Sequence, residues 1–385
     1  MKPAPTAVAL AEAAGRLAGA YVHIPFCARL CPYCDFAVVP DRLDVADRYI
    51  AAVAAEVGME PVWRPLDTVF FGGGTPSQVS VGSLSSIVDA LAGRFGLADG
   101  VEVTVEANPE DVDLSYAHRL KVAGITRVSL GAQSFDPVVL ASLGRRHDRT
   151  DIIRAVEAIR AAGIGSVSLD LIFGDPTETD SSWASTLHEA VTVGADHVST
   201  YALTVEPGTE LSRLVRAGGS GPDDDVQAAR WETADRTLSA AGYVRYEVSN
   251  AARPGHESRH NLSTWAQGEY LAFGMGAHGH RSGVRRRNLR RLDAYLEAVE
   301  LGRRPEAASD SVGGWDAELE RLMLGLRRTV GVIKGVGGAA LMASADGIRL
   351  ATAEIVDEVD DRLVVRDPLR TDSVIRAVLA LPARS

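Results

Sequence analysis

The chain is predicted to be an α/β protein, an open or partial barrel of six parallel β/α units followed by a smaller α+β region of partly winged-helix character. Three observations predict it. Short, β-branched apolar runs recur about every 30 residues between positions 20 and 203. Amphipathic stretches long enough for helices lie between them, and strands alternating with helices at that spacing form parallel pairs. Past residue 250 the alternation stops, and the tail mixes short helices with one strand-turn-strand pattern.

The strands are expected at "AYVHIP" (20–25), "DTVFFGG" (67–73), "VEVTVEAN" (101–108), "TRVSLGAQ" (126–133), "GSVSLDLIFG" (165–174) and "DHVSTYAL" (196–203). Each combines β-formers with a turn signal after it. Helices are expected at 43–58, 82–95, 113–123, 150–162 and 180–194. "YVRYEVSN" (243–250) reads as one more strand, then comes an irregular Gly/His-rich stretch to about 290, and helices near 291–302 and 315–328. The strand-turn-strand of the tail is expected within "GIRLATAEIVDEVDDRLVVRD". Four segments result: a short leader at 1–19, helical or frayed, the barrel at 20–250, a connecting region at 251–310 and a small domain at 311–385.

An apolar fraction of 46% and a charged fraction of 24% are those of an ordinary soluble globular chain. The net charge of −11 argues against a surface built for nucleic acid. Arg outnumbers Lys by 37 to 3 and is scattered, which is a composition bias rather than a binding patch. The densest basic run, "RSGVRRRNLRR" (Arg281 to Arg291), reads as a solvated loop and helix start, or as a seat for carboxylates. No window approaches 18 consecutive apolar residues, so no membrane span is expected. Glu12 and Arg16 interrupt the apolar leader, so a cytoplasmic location is expected rather than export.

All three cysteines fall in "YVHIPFCARLCPYCDF", spaced C-x3-C-x2-C as Cys27, Cys31 and Cys34. A stabilising disulfide framework needs partners far apart in sequence, and none exist. A closed zinc site would need His23 or Asp35 as a fourth ligand, and the spacing is not that of paired knuckles. An iron–sulfur cubane fits best, because three thiolates leave one iron with an open position for an exchangeable ligand. Functional residues of parallel β/α barrels sit at the C-terminal ends of the strands. Cys27 follows the first strand, "GGGTPS" ends the second, Glu106 the third and Gln133 the fourth, while Asp170 lies late in the fifth.

C-x3-C-x2-C with an aromatic, Tyr33, before the last cysteine resembles the signature of radical S-adenosylmethionine (SAM) proteins. That resemblance implies a 4Fe-4S cluster on Cys27, Cys31 and Cys34, with SAM chelating the open iron. It further implies that Gly73, Gly74 and Thr75 hold the SAM amine, that Glu106, Gln133 and Asp170 complete the SAM pocket, and that Arg145 meets the SAM carboxylate. Arg146 is its immediate neighbour, and Tyr21 stands six residues before Cys27.

Within that superfamily the chain is similar to the branch of oxygen-independent coproporphyrinogen III oxidase and the HemW heme chaperones. "FGGGTPS", "EANPE", "GAQSFD", "LDLIFG", "YALTVEPGT", "YEVSN", "ARPGHESRHN", "GAHG" and "LMLGLR" carry the HemW likeness over nearly the whole chain. The oxidase has a further cysteine where this chain has Phe36, and a longer segment before the cluster, so the chaperone branch is favoured. The resemblance then implies binding of heme and its transfer to an acceptor hemoprotein. The alternative is radical-SAM oxidative decarboxylation of coproporphyrinogen III to protoporphyrinogen IX. The 251–310 region would handle heme through "RHNLSTW", where His260, Asn261 and Trp265 match the family's His-Asn-x-x-Tyr-Trp pattern and Thr264 replaces its Tyr. His260 is the first candidate heme ligand and His278 the reserve. A second departure follows the fifth strand: the family's Gly-Leu-Pro-x-Gln-Thr reads here Gly174-Asp175-Pro176-Thr177-Glu178-Thr179. Peripheral association with a membrane through a partner is compatible with all of this.

Overall fold

The computed structural model describes residues 12–383; most of the expected leader lies outside them. Six parallel strands lie side by side in chain order: β1 (Ala18–Ile24), β2 (Leu66–Gly73), β3 (Leu97–Ala107), β4 (Arg127–Gln133), β5 (Ser166–Phe173) and β6 (His197–Ala202). The helices between them are α1 (Ala46–Met59), α2 (Val81–Phe95), α3 (Leu114–Val122), α4 (Arg149–Ala161) and α5 (Asp180–Thr192). Their starts are written locally. Ser80, Asp113, Asp148 and Thr179 each cap a helix with a side-chain oxygen, and Asp148 and Thr179 do so in reciprocal capping boxes.

Because strand side chains alternate between faces, each strand has an apolar outer set and a different inner set. Val69 and Phe71, Val103 and Val105, Val128 and Leu130, and Val167 and Leu169 are buried in one continuous core with the helices. The inner set is polar: Thr68, Thr104, Glu106, Ser129, Ser168, Asp170, His197 and Ser199. Ser129 and Ser199 both donate to Asp170 across three strands, and Ser168 meets His197 Nδ1 at 2.7 Å. An interior of this kind is stable only if its groups satisfy one another or a polar ligand.

The barrel is open. On the β6 side the chain was expected to form one strand over 243–250. It instead makes two short ones, β7 (Val244–Arg245) and β8 (Asn250–Ala252), which pair with each other and return antiparallel onto β6. The chain turns back between them because Tyr246 and Glu247 are drawn inward. Tyr246 bonds His197 Nε2 at 2.7 Å, and the backbone at Glu247 pairs with that at Arg328 in an isolated antiparallel bridge.

The stretch expected to be irregular extends the same sheet beyond β1. Strand β9 (Glu269–Phe273) lies parallel to β1, and β10 (His278–Arg281), β11 (Val284–Asn288) and β12 (Glu306–Ser311) follow antiparallel. The run 281–291 is therefore mostly a strand rather than a solvated loop. Helix α6 (Asp224–Ala240) packs beside α5, α7 (Arg259–Trp265) sits under the strand N-termini and α8 (Leu292–Glu300) packs on α1. A separate small core gathers Leu322, Leu341, Val356, Leu363, Val374 and Val378, from helices between 314 and 379 and a hairpin at Val356–Val365. The hairpin starts later than expected, since Ala345–Thr352 is helical. No helix among the described residues is long and apolar enough to cross a membrane.

Candidate cofactor site

The loop bearing the cysteines is held at both ends. Phe26–Cys27 pairs with Val39–Pro40, and Ala37 O accepts from His23 Nε2 at 2.8 Å. Since that nitrogen faces a carbonyl it carries the ring proton, so Nδ1 accepts from Tyr21 OH at 3.0 Å. Tyr21 itself stacks on Phe70 inside the barrel and does not line the cavity. It acts on the loop through His23, a positioning residue that the sequence reading weighed only as a zinc ligand.

Cys27, Cys31 and Cys34 are free, half-buried, and line one cavity of about 410 Å³ at the C-terminal mouth of the barrel. Cys34 N donates to Cys31 O at 3.1 Å in a tight turn, and Cys27 Sγ lies 3.4 Å from Thr75 Oγ1. Three thiols turned to one space, with no disulfide and no fourth cysteine in the chain, suit a cubane cluster with one open iron.

The glycine turn after β2 lies against this loop. Gly74 N donates to Ile24 O and Thr75 N to Phe26 O, both at 2.8 Å, so the turn is sewn to the backbone just before Cys27. Gly73 has φ of 113°, and a Cβ there would meet the His23 ring at 2.4 Å; only glycine fits. Gly73 N donates to Glu106 Oε2 at 3.2 Å. Burial, then the nearby Asp170, push the Glu106 carboxyl up to about 7, so a cationic ligand group entering here would lower it again. Burial also raises Asp170, against the donation from Ser199 and Ser129.

Gln133 ends β4 with φ of 61°, a left-handed conformation uncommon for a side chain with a Cβ. The β4–β5 register shifts there, and the strained residue lines the cavity. Arg145 reaches in from the loop after β4. Its Nη2 donates to Asn108 Oδ1 at 2.5 Å and to Gly131 O at 3.1 Å, while Nη1 lies 3.7 Å from Cys31 Sγ. Its Nε is buried without a partner among the described residues, a donor left for an anionic ligand group. Arg146 also borders the cavity but is exposed. Tyr33 packs against Val139, Leu143, Ile172 and Leu203 beside Arg145, and burial raises its phenol.

Gly73, Gly74, Thr75, Tyr33, Glu106, Gln133, Arg145 and Asp170 thus surround the three cysteines. The sequence reading missed Asn108, which aims Arg145, and Tyr201 and Glu206, which line the far wall. Asn108 lies in "EANPE" two residues after Glu106, at the same strand end, and that placement is the signal that marks it.

His260 is not part of this assembly. It lies beneath Thr68, which its Nδ1 meets at 3.0 Å, and stacks on Phe70. Thr68 precedes Gly73 by five residues, about 16 Å along a strand. Burial lowers the imidazole to about 4, so it is neutral. Glu102 caps the helix that carries it, accepting from the backbone N–H groups of Arg259 and His260 at 3.1 Å. Trp265 packs under Arg327 of the C-terminal region. The Gly174–Thr179 departure faces away from the cavity. Glu178 accepts from Arg230 Nη1 and from Gly174 N, and Asp175 accepts from Ser142 and Thr177, so both new carboxylates have local donors.

The model of the radical SAM superfamily matches residues 21–190. The heme chaperone HemW of Mycobacterium tuberculosis is 40% identical over 381 residues, covering 96% of this chain and 97% of that one. HemW of Bacillus subtilis is 34% identical, covering 86% and 88%, and HemW of Escherichia coli is 36% identical, covering 67% and 69%. Among solved structures, coproporphyrinogen III oxidase (HemN) of Escherichia coli, a radical SAM enzyme, matches with a TM-score of 0.81 at 20% identity, over 98% of this chain and 93% of that one. The fold is therefore that of the oxidase, and by sequence the chain belongs to the HemW family of the radical SAM superfamily.

Proposed function

We propose that this protein is a heme chaperone, which holds a 4Fe-4S cluster and SAM at the barrel mouth, binds heme and passes it to an acceptor hemoprotein. The observation that carries the reading is likeness over nearly the full chain to relatives named heme chaperones, on a barrel whose cysteine cavity keeps the cofactor residues together. When bound, the cluster supplies an iron with an open position. Cys27, Cys31 and Cys34 would be its ligands. Gly73 and Glu106 would receive the SAM amine, Arg145 its carboxylate, and Gln133 and Asp170 the nucleoside hydroxyls. Residues Tyr21 and His23 keep the cysteine loop seated while these groups bind.

One residue at the cavity favours the chaperone over the oxidase. The cavity itself, about 410 Å³, is of ligand-pocket size. Phe36, 61% exposed at its mouth, stands where the oxidase resemblance calls for a cysteine. The test offers anaerobically reconstituted protein coproporphyrinogen III with SAM and a reductant, and in parallel hemin alone. One hemin per chain with no protoporphyrinogen is expected; formation of protoporphyrinogen would replace this reading with that of the oxidase.

A further inference from the structure

A second cavity, of about 470 Å³, lies where the sheet extension meets the C-terminal region. One row of side chains crosses its floor in register on one face: Tyr270 on β9, His280 on β10, Arg285 on β11 and Asp310 on β12. A second row pairs His278 with Arg287. Leu324 of the C-terminal region, and Thr264 and Gln267 at the end of α7, form the walls.

The two histidines share a specific preparation. His280 Nδ1 lies 3.1 Å from Gly268 O and His278 Nδ1 lies 2.9 Å from Gly276 O. Each faces a carbonyl, so each Nδ1 bears the proton and each Nε2 keeps its lone pair. That is the arrangement by which proteins orient an imidazole for a metal. Among the described residues no cluster of His, Cys, Asp and Glu completes an all-protein metal site, so an incoming metal must bring most of its own ligands. A metalloporphyrin does that. Arg285 is occupied by Asp310 and Glu320, at 2.6 and 2.7 Å. Arg287 is exposed, with no ion-pair partner among the described residues. It can take a propionate.

We propose, resting on the heme reading above, that heme seats in this cavity with His280 Nε2 as axial ligand and Arg287 on a propionate. His280 is preferred to His278 because it is the more enclosed and lies beside Tyr270. The His260 helix then acts on heme at one remove. Gly268 N donates to Ser263 O of that helix at 2.7 Å, and a Cβ at Gly268 would strike Ser263 Oγ at 2.1 Å. The helix end therefore sets the carbonyl that aims His280, and His260, locked between Thr68 and Phe70, is a positioning residue.

The test is a hemin titration of the full chain, followed by the Soret band and the ferric EPR spectrum. His280→Gly should lose the histidine-ligated spectrum and at least tenfold in affinity, with added imidazole restoring the spectrum. Arg287→Glu, on an exposed side chain, should weaken hemin binding about tenfold with the spectrum unchanged. His260→Ala should keep the histidine-ligated spectrum at a weaker affinity. An unaltered spectrum in His280→Gly, together with its loss in His260→Ala, would overturn the proposal and move the ligand to the barrel. Failure of the unsubstituted chain to take up hemin would remove the heme reading itself, a result distinguishable from the first.

Discussion

Replacing Gly74 by alanine tests how the cofactor site is built. A Cβ at this position would lie 2.6 Å from Pro25 C, 2.7 Å from Pro25 O and 2.8 Å from Phe26 O. Ordinary contact begins at 3.4 Å, so the turn or the cysteine loop must retreat by about 0.8 Å. All three obstacles are backbone atoms, and no rotamer change relieves them. The retreat strains the two 2.8 Å bonds, Gly74 N to Ile24 O and Thr75 N to Phe26 O, that join glycine turn to cysteine loop. Overpacking of this kind costs about 1–3 kcal/mol of stability. Under the proposed SAM site, a displacement near 1 Å between cysteine loop and glycine turn should also weaken SAM binding about tenfold, equivalent to about 1.4 kcal/mol. The assay is anaerobic reconstitution, an iron count per chain and SAM calorimetry. Gly93→Ala is the control. That glycine lies in α2 with nothing within 4 Å of its would-be Cβ, so the substitution should stabilise by about 0.5–1 kcal/mol and leave SAM affinity alone. Full cluster content with unchanged SAM affinity in Gly74→Ala would refute the claim that turn and loop form one unit.

Three other predictions follow from single contacts. Arg145→Lys should lower SAM affinity about tenfold, because one ammonium cannot span Asn108 and Gly131 while facing the ligand, whereas Arg146→Lys should change it less than twofold by calorimetry. Arg230→Met leaves the Glu178 side chain, 0% exposed, without its cation; urea unfolding should register a loss of about 3–5 kcal/mol, part of it recovered when Glu178→Gln is added. Glu56 is buried and pushed up to about 7 from an ordinary 4.5, chiefly by burial and against donors from Gly274, Tyr295 and Asn288. A carboxyl raised in the fold gives stability below the unfolded value that is lost as pH climbs from 4.5 through 7, about 3 kcal/mol here. Stability of the unsubstituted chain relative to Glu56→Gln should therefore fall from pH 5 to pH 8 in urea melts, and a flat difference would count against the raised carboxyl.

Much of the barrel was legible because each unit repeats the same signals. "DTVFFGG" and "TRVSLGAQ" are found as Leu66–Gly73 and Arg127–Gln133, with helix caps at Ser80 and Asp148 between neighbouring strands. That the candidate cofactor residues would share one cavity was legible for a related reason, since strand ends bring Cys27, Gly73, Glu106 and Gln133 to one mouth. The sheet extension was not. Glu306–Ser311 is exposed at every position and Val284–Asn288 carries three consecutive Arg at its centre, so neither shows the apolar alternation that marks a strand. They are strands because neighbouring backbone pairs with them. The barrel's inner polar ladder was likewise hidden. Nothing local in "SLDLIFG" says that Asp170 will accept from Ser129 and Ser199 on the strands either side. The displacement of His260 from the cysteine mouth has the same origin, because α7 follows β8 back to the strand N-termini and a motif has no direction until the chain has turned.

The central claim is that this chain delivers heme rather than merely holding or converting tetrapyrroles. The measurement that tests it most directly is the rate at which the hemin-loaded chain passes hemin to the apo form of a hemoprotein enzyme from its own organism. That rate is compared with release into an apomyoglobin trap. Chaperone action predicts transfer to the native acceptor that is faster than free dissociation and rises with acceptor concentration. Identical, concentration-independent rates into both acceptors would mean that hemin simply dissociates, and would contradict the account.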